Sequence, residues 1–125
     1  MSLERIQPSQ QAKDQLSRLK RRTGVKNWNV LCRWAFCVSL AEPDPPTPAR
    51  IPADSSLEMT WRTFAGSDHE DTYLALLRQR CADDGLPTDP ETLAIHFRLH
   101  LHRGIGYLAG SPDLRRVDDL VALAL

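Results

Sequence analysis

Three groups of side chains in this 125-residue sequence have the types and spacing to do chemistry. The first is His96, His100 and His102, with Tyr107 just beyond. A histidine–hydrophobic–histidine triplet at 100–102 suits a metal held on one side of a strand while a nearby tyrosine attacks DNA. That geometry requires an extended chain, whereas residues 91–103 carry helical caps and helical periodicity. On a helix, side chains two residues apart diverge by about 200°. His96 and His100 have the i,i+4 spacing of a helical metal pair, but neither an HExxH pattern nor a third ligand accompanies them. No metal or other cofactor is expected.

The second group is acidic: Asp83 and Asp84, Asp118 and Asp119, and the run from Asp68 to Asp71. A magnesium nuclease of the restriction type needs two carboxylates and a lysine, and no lysine follows Lys26. Helix capping accounts for Asp68, Glu70, Asp71 and Asp84, and Asp118 and Asp119 read as solvated. No GxxxxGK[ST] loop and no GxSxG elbow is present. The three cysteines, Cys32, Cys37 and Cys81, form no CxxC pair and read as buried apolar side chains. No catalytic residue is assigned.

The third group is cationic, and the even balance of 16 basic and 16 acidic residues conceals it. Residues 1–40 carry a net charge of +6, residues 41–100 carry −6, and the last 25 residues are neutral. All three lysines lie within the first 26 residues. A polyanion would therefore be met by Lys13, Arg18, Lys20, Arg21, Arg22 and Lys26, with Arg33 following.

These cations need an element to present them. Arg5, Ile6 and Gln7 form a short extended stub ending at Pro8. Ser9 then caps a helix that runs to about Arg22 and is closed by Thr23 and Gly24. Ala12, Leu16 and Leu19 make its buried stripe, Lys13 and Lys20 share one flank, Arg18 and Arg22 the other, and Arg21 points outward. The Ser9 end of this helix is a further place to receive a phosphate.

A second helix begins near Asn27 or Asn29 and reaches Leu40. Eleven of the 14 residues 28–41 are apolar, and the one charge is Arg33. A helix apolar all round but too short to span a bilayer has to be covered by protein, so self-association through Trp28, Leu31, Trp34, Ala35 and Val38 is expected.

The stretch 42–56 contains five of the nine prolines and reads as a stiff connector. Alternation of Leu57, Met59 and Trp61 with polar residues predicts a strand over 57–64. Ser67 to Glu70 has the form of a capping box opening a helix to about Ala82, with Tyr73, Leu76, Leu77 and Cys81 inward. Asp89 and Pro90 start another helix through Arg103, bearing Leu93, Phe97 and Leu101 and ended by Gly104 and Gly106 as a chain reversal. Ser111 and Pro112 cap a last helix with Leu114, Val117, Leu120, Val121 and Ala124.

The result is a single mainly α domain with minor β. It divides into a basic strand–helix–turn–helix unit (1–41) of ribbon-helix-helix-like character, the connector (42–56), and a strand plus three helices (57–125). The N-terminus lacks the layout of an export signal, so a cytoplasmic protein with no membrane association is expected. A DNA-binding oligomer is the function class the residues support. A base-reading regulator and a partner-binding scaffold remain open beside it.

The runs RLKRRTGVK (18–26), NVLCR (29–33), Ser39 with Leu40, and HRGIGYL (102–108) resemble the DndE family of DNA sulfur modification proteins. The resemblance spreads over about 5–40 and 57–108, while the connector and residues 109–125 depart from it. It implies a small helical protein of the system that replaces a non-bridging phosphate oxygen of DNA with sulfur. It also implies a homotetramer that binds nicked double-stranded DNA beside a cysteine desulfurase, a sulfur-transfer protein and an ATPase. The phosphate contacts it implies fall on Lys13, Arg18, Lys20, Arg21, Arg22, Lys26 and Arg33, the same positions selected by charge. Several of them are arginine where the family pattern favours lysine; arginine still neutralises phosphate, often bidentately, so binding is expected to persist with altered detail.

Overall fold

The structure is a computed structural model in which residues 3–111 are described. The expected helix over 112–125 lies outside them. The chain runs β1 (Arg5–Ile6), α1 (Gln10–Thr23), α2 (Trp28–Ala41), β2 (Met59–Thr60), α3 (Trp61–Ala65), α4 (Glu70–Asp83) and α5 (Pro90–Gly110). The mainly helical class with minor β is as the sequence indicates.

α1 begins at Ser9, whose hydroxyl accepts from the Ala12 amide, and ends at Gly24, which takes the left-handed φ of 77°. Its stripe of Ala12, Leu16, Leu19 and Thr23 is buried. β1 pairs antiparallel with β2, Arg5 opposite Thr60 and Ile6 opposite Met59. The stub thus finds its partner within its own chain.

The predicted strand over 57–64 is cut to two residues. Thr60 turns from strand into N-cap, its hydroxyl accepting from the Thr63 amide, and α3 follows at once. That turn carries Phe64 and Ala65 inward, where Phe64 meets Phe97 edge-on at 4.9 Å between ring centroids. Phe36 joins both rings, at 5.8 Å from Phe64 and 5.3 Å from Phe97. This aromatic cluster welds α2, α3 and α5, and burying three phenylalanines outweighs the alternation that favoured a strand.

The capping box over Ser67 to Glu70 does not form. His69 is the N-cap of α4 and makes no side-chain cap bond, and its amide donates to the Gly66 carbonyl in a tight turn instead of to a capping-box side chain. Glu70 and Asp71 still place negative charge in the first turn. Leu77 and Cys81 are buried as expected, but Leu76 is 43% exposed. Cys32 is buried and Cys37 is exposed, which corrects the expectation of three buried thiols.

The largest departure is at Gly104 and Gly106, where α5 continues to Gly110 instead of reversing. A Cβ added at Gly104 would fall inside the Ala35 carbonyl of α2. Gly104 is therefore a crossing point at which two helix backbones touch. Gly106 meets nothing within 4 Å.

The α2–α5 contact also explains why two of the residues expected at an oligomer interface are not available to one. Leu31 and Ala35 are 0% exposed, enclosed by the protomer's own core. Trp28, Trp34 and Val38 are half-buried. The outward stripe of α2 is instead Val30, Trp34 and Cys37, which with Arg33 and Tyr73 lines a cleft of about 450 Å³.

Three arginines from the second half of the chain hold it together. Arg103 donates to the Ser39 hydroxyl (2.8 Å), the Ser39 carbonyl (2.7 Å) and the Asp44 carbonyl (2.8 Å). Arg80, paired with Asp84 at 3.0 Å, donates to the Leu40 and Asp44 carbonyls at 2.8 Å each. Both neutralise the carbonyl end of α2 and pin the start of the connector. Arg98 holds the other end, donating to the Gln7, Ile51 and Pro52 carbonyls.

Replacing Gly104 by alanine must push α2 off α5 and is expected to cost about 3 kcal/mol or more in urea unfolding. Gly106→Ala, in open space on the same helix, is expected to be neutral or to stabilise by about 0.5–1 kcal/mol.

Candidate nucleic-acid interface

The site is built where α1 ends and α2 begins. Lys20, Arg21 and Arg22 occupy the last turn of α1, where cations complement unpaired carbonyls. The Gly24 amide donates to the Lys20 carbonyl at 3.0 Å. The Thr23 hydroxyl donates to the Leu19 carbonyl at 2.7 Å and accepts from the Val25 amide at 3.2 Å. This buried hydroxyl ties the turn to the end of α1, and Lys26 follows one residue after the tied Val25.

Arg18, Arg21 and Lys26 are exposed and make no side-chain hydrogen bond or ion pair with another described residue. The rest of the set is engaged to different degrees. Lys20 places its ammonium 4.0 Å above the centre of the Trp28 ring. Arg22 donates to the Ala109 carbonyl in the last turn of α5 at 3.0 Å, and Lys13 donates to the Ser56 hydroxyl at 2.6 Å. None of the seven cations forms an ion pair with a described carboxylate. Arg33 stands apart: it donates to the Ala65 carbonyl at 3.3 Å, on the side of α2 where Asn29 donates to the Thr63 carbonyl. Arg18, Lys20, Arg21 and Arg22 thus lie on the last two turns of α1 with Lys26 just past its Gly24 stop, while Lys13 is turned to Ser56 and Arg33 to the α3 side.

The two helix N-termini differ in what they offer an anion. That of α1 is filled, since the Gln10 amide donates to the Asp54 carboxylate at 2.8 Å. A carboxylate brought by the connector repels phosphate there, and the expectation of a phosphate at the Ser9 end is corrected accordingly. α2, by contrast, starts at Asn27 without a side-chain cap bond and without an acid in its first turn. Its positive dipole end adjoins Lys26 and the Lys20–Trp28 pair. The open start of α2 was missed from sequence because Asn27 has the residue type of a cap.

The histidines do not converge. His100 shares a hydrogen bond with the Ser39 hydroxyl at 2.8 Å, between Nδ1 and Oγ. His102 accepts from the Ser9 amide at Nε2 (3.1 Å) and bonds the Arg98 carbonyl through Nδ1 (2.8 Å). The two bonds fix His102 as the neutral tautomer with its proton on Nδ1. Burial pushes His100 down to about 4, aided by the Arg80 and Arg103 charges. Burial likewise pushes His102 down to about 4, against the bond to the Arg98 carbonyl. Both are neutral structural hydrogen-bonding groups on opposite sides of α5. Tyr107 is exposed, beyond either contact. Among the described residues no three His, Cys, Asp or Glu side chains gather to hold a metal, and no helix is long and apolar enough to cross a membrane.

Because the unfolded chain takes up a proton on His102 near pH 6.5 and the folded chain resists it to about 4, its contribution to stability is full above pH 6.5. It is lost as pH falls towards 4, amounting to roughly 3 kcal/mol. Urea titrations across that window should show a smaller loss for His102→Gln than for the unmodified protein.

Comparison with known proteins adds the following. The model of the family described as DNA sulphur modification protein DndE matches residues 5–116. DndE from Escherichia coli B7A, a crystal structure described as involved in DNA phosphorothioation modification, superposes with a TM-score of 0.70. It is 24% identical, and the match covers 86% of this chain and 98% of that one. A double glycine-to-lysine mutant of DndE, described as involved in DNA phosphorothioation, gives 0.65 at 22% identity with the same coverage. A comparison with curated proteins finds no match. The two structures share the fold, and the family match spans the basic turn of α1, the buried α2 and the glycine crossing of α5: the chain belongs to the DndE family.

Proposed function

We propose that this chain is the DNA-holding component of a phosphorothioation system, binding nicked double-stranded DNA through the end of α1 and the start of α2 without reading bases. The observation that carries this is the cluster of Arg18, Lys20, Arg21, Arg22 and Lys26, unpaired by any described carboxylate in a chain with as many acids as bases. Arg18 and Arg22 sit one turn apart on α1, a like-charge spacing that costs a few tenths of a kcal/mol unless a polyanion relieves it. The uncapped start of α2 adds backbone donors and a favourable dipole end.

Arginine can pair with guanine as well as with phosphate, so the argument against base readout rests on β1, which is too short and too committed to β2 to serve as a reading ribbon. Preference for a nick follows from mechanics: a broken backbone bends at less elastic cost, so cations repeated by symmetry engage phosphates on both sides of the joint. Self-association, as a homotetramer, is assigned to the open Val30, Trp34 and Cys37 stripe of α2. In this reading the chain has no catalytic centre. It presents the backbone to the cysteine desulfurase, sulfur-transfer protein and ATPase that do the chemistry, in the cytoplasm.

Titration of nicked against intact duplex at several salt concentrations tests this. Four to five phosphate contacts give a slope of log K on log salt of about −4, with the nicked duplex bound more tightly. Lys20→Ala and Arg21→Ala should each reduce the slope by about one. A well-folded oligomer that binds no DNA overturns the reading in favour of a scaffold, and affinity that follows one base sequence overturns it in favour of a regulator. Light scattering on Trp34→Glu should show a smaller particle than the unmodified protein.

A further inference from the structure

We infer that Trp28 is a positioning residue for the DNA contact, holding the Lys20 ammonium where it meets a backbone phosphate. The inference rests on the DNA-binding reading above. Lys20 and Trp28 lie on different helices, eight residues apart, and meet only because Gly24 takes its left-handed turn. The ammonium stands 4.0 Å above the ring centre, within the range at which the negative ring face attracts a cation.

The indole is itself fixed, half-buried and packed against the core. Lys20 is therefore held at both ends: its carbonyl accepts from the Gly24 amide and its ammonium rests on the ring. Its neighbours lack this arrangement, since Arg21 has no side-chain partner among the described residues and Arg22 is tied to the Ala109 carbonyl.

A flexible lysine loses rotamer freedom when it grips a phosphate. One already laid on an indole has lost that freedom before binding, and the face of its ammonium away from the ring remains available. The sequence alone placed Trp28 in a self-association surface. The structure gives its ring to a cation of its own chain.

The test is a double-mutant cycle on nicked-duplex affinity, using Lys20→Met, which keeps an apolar stem over the ring, and Trp28→Leu. Trp28→Leu alone is expected to weaken binding about two- to fivefold and to leave binding unchanged when Lys20 is already methionine. Trp28→Phe, which fills the site with a weaker ring face, should fall between, and it preserves the cycle if the leucine variant folds poorly. The oligomeric mass should be the same in all variants. An equal loss on Trp28 substitution with and without Lys20, no loss at all, or a change of mass each overturns the inference while leaving the DNA reading intact. Failure of the unmodified protein to bind nicked duplex removes the DNA reading, and the inference with it.

Discussion

One backbone-to-backbone contact sets the geometry of the molecule. Where Gly104 meets the Ala35 carbonyl, α2 and α5 approach more closely than any side chain would allow. That closeness brings Ser39 within reach of both His100 and Arg103, so a buried hydroxyl in a mostly apolar helix is satisfied. It puts Phe36 against Phe97 and Phe64, and it brings the last turn of α5 to Arg22 at the end of α1. The helix that leads the chain away from the basic turn is thus held from behind, and the start of α2 inherits its rigidity from a contact near the middle of that helix.

The sequence showed the basic unit clearly because its signals are local. Ser9 as a cap, the spacing of Ala12, Leu16 and Leu19, the Thr23–Gly24 stop and the position of the lysines each act within a turn or two, and α1 formed where they indicate. The failed capping box before α4 is a local turn between Gly66 and His69, but the larger departures arise from long-range contacts. Gly104 and Gly106 look alike as helix breakers, and the difference between them is the carbonyl of a residue about 70 positions earlier. Leu31 and Ala35 look as fit for a partner as Trp34 does, and only the placement of α5 decides which face of α2 is spent. The alternation over 57–64 was real on the side of Met59, yet the pull of Phe64 into the aromatic cluster converted its second half to helix.

The candidate site was legible as a set of charges but not as an arrangement. Charge counting cannot tell Arg21, which is free of protein partners among the described residues, from Arg33, which leans on α3. Nor does it show that Asp54 travels back along the connector to fill the start of α1 while the start of α2 stays open. These differences come from the connector, whose prolines forbid regular structure and leave its carbonyls to be collected by arginine side chains.

That collection resolves how a chain of zero net charge keeps a cationic end. Arg80 and Arg98 lie in the acidic segment and Arg103 just beyond it, but their guanidinium groups are turned to carbonyls of α2, the residue after β1 and the connector. A planar fork with five donors suits such work, since one side chain ties several carbonyls at once. The lysines, compact charges on flexible stems, are confined to the first 26 residues, where charge rather than geometry is needed. Arg80 and Arg98 of the acidic segment are thus committed to fixing the scaffold, and the segment's carboxylates outnumber the arginines that remain. The excess of carboxylates over residues 41–100 makes that part of the protein unfavourable to a polyanion and leaves the first 40 residues as its cationic part. Balanced composition and a cationic end are therefore compatible, because the two signs are separated along the chain and Arg80, Arg98 and Arg103 are spent on carbonyls of the fold.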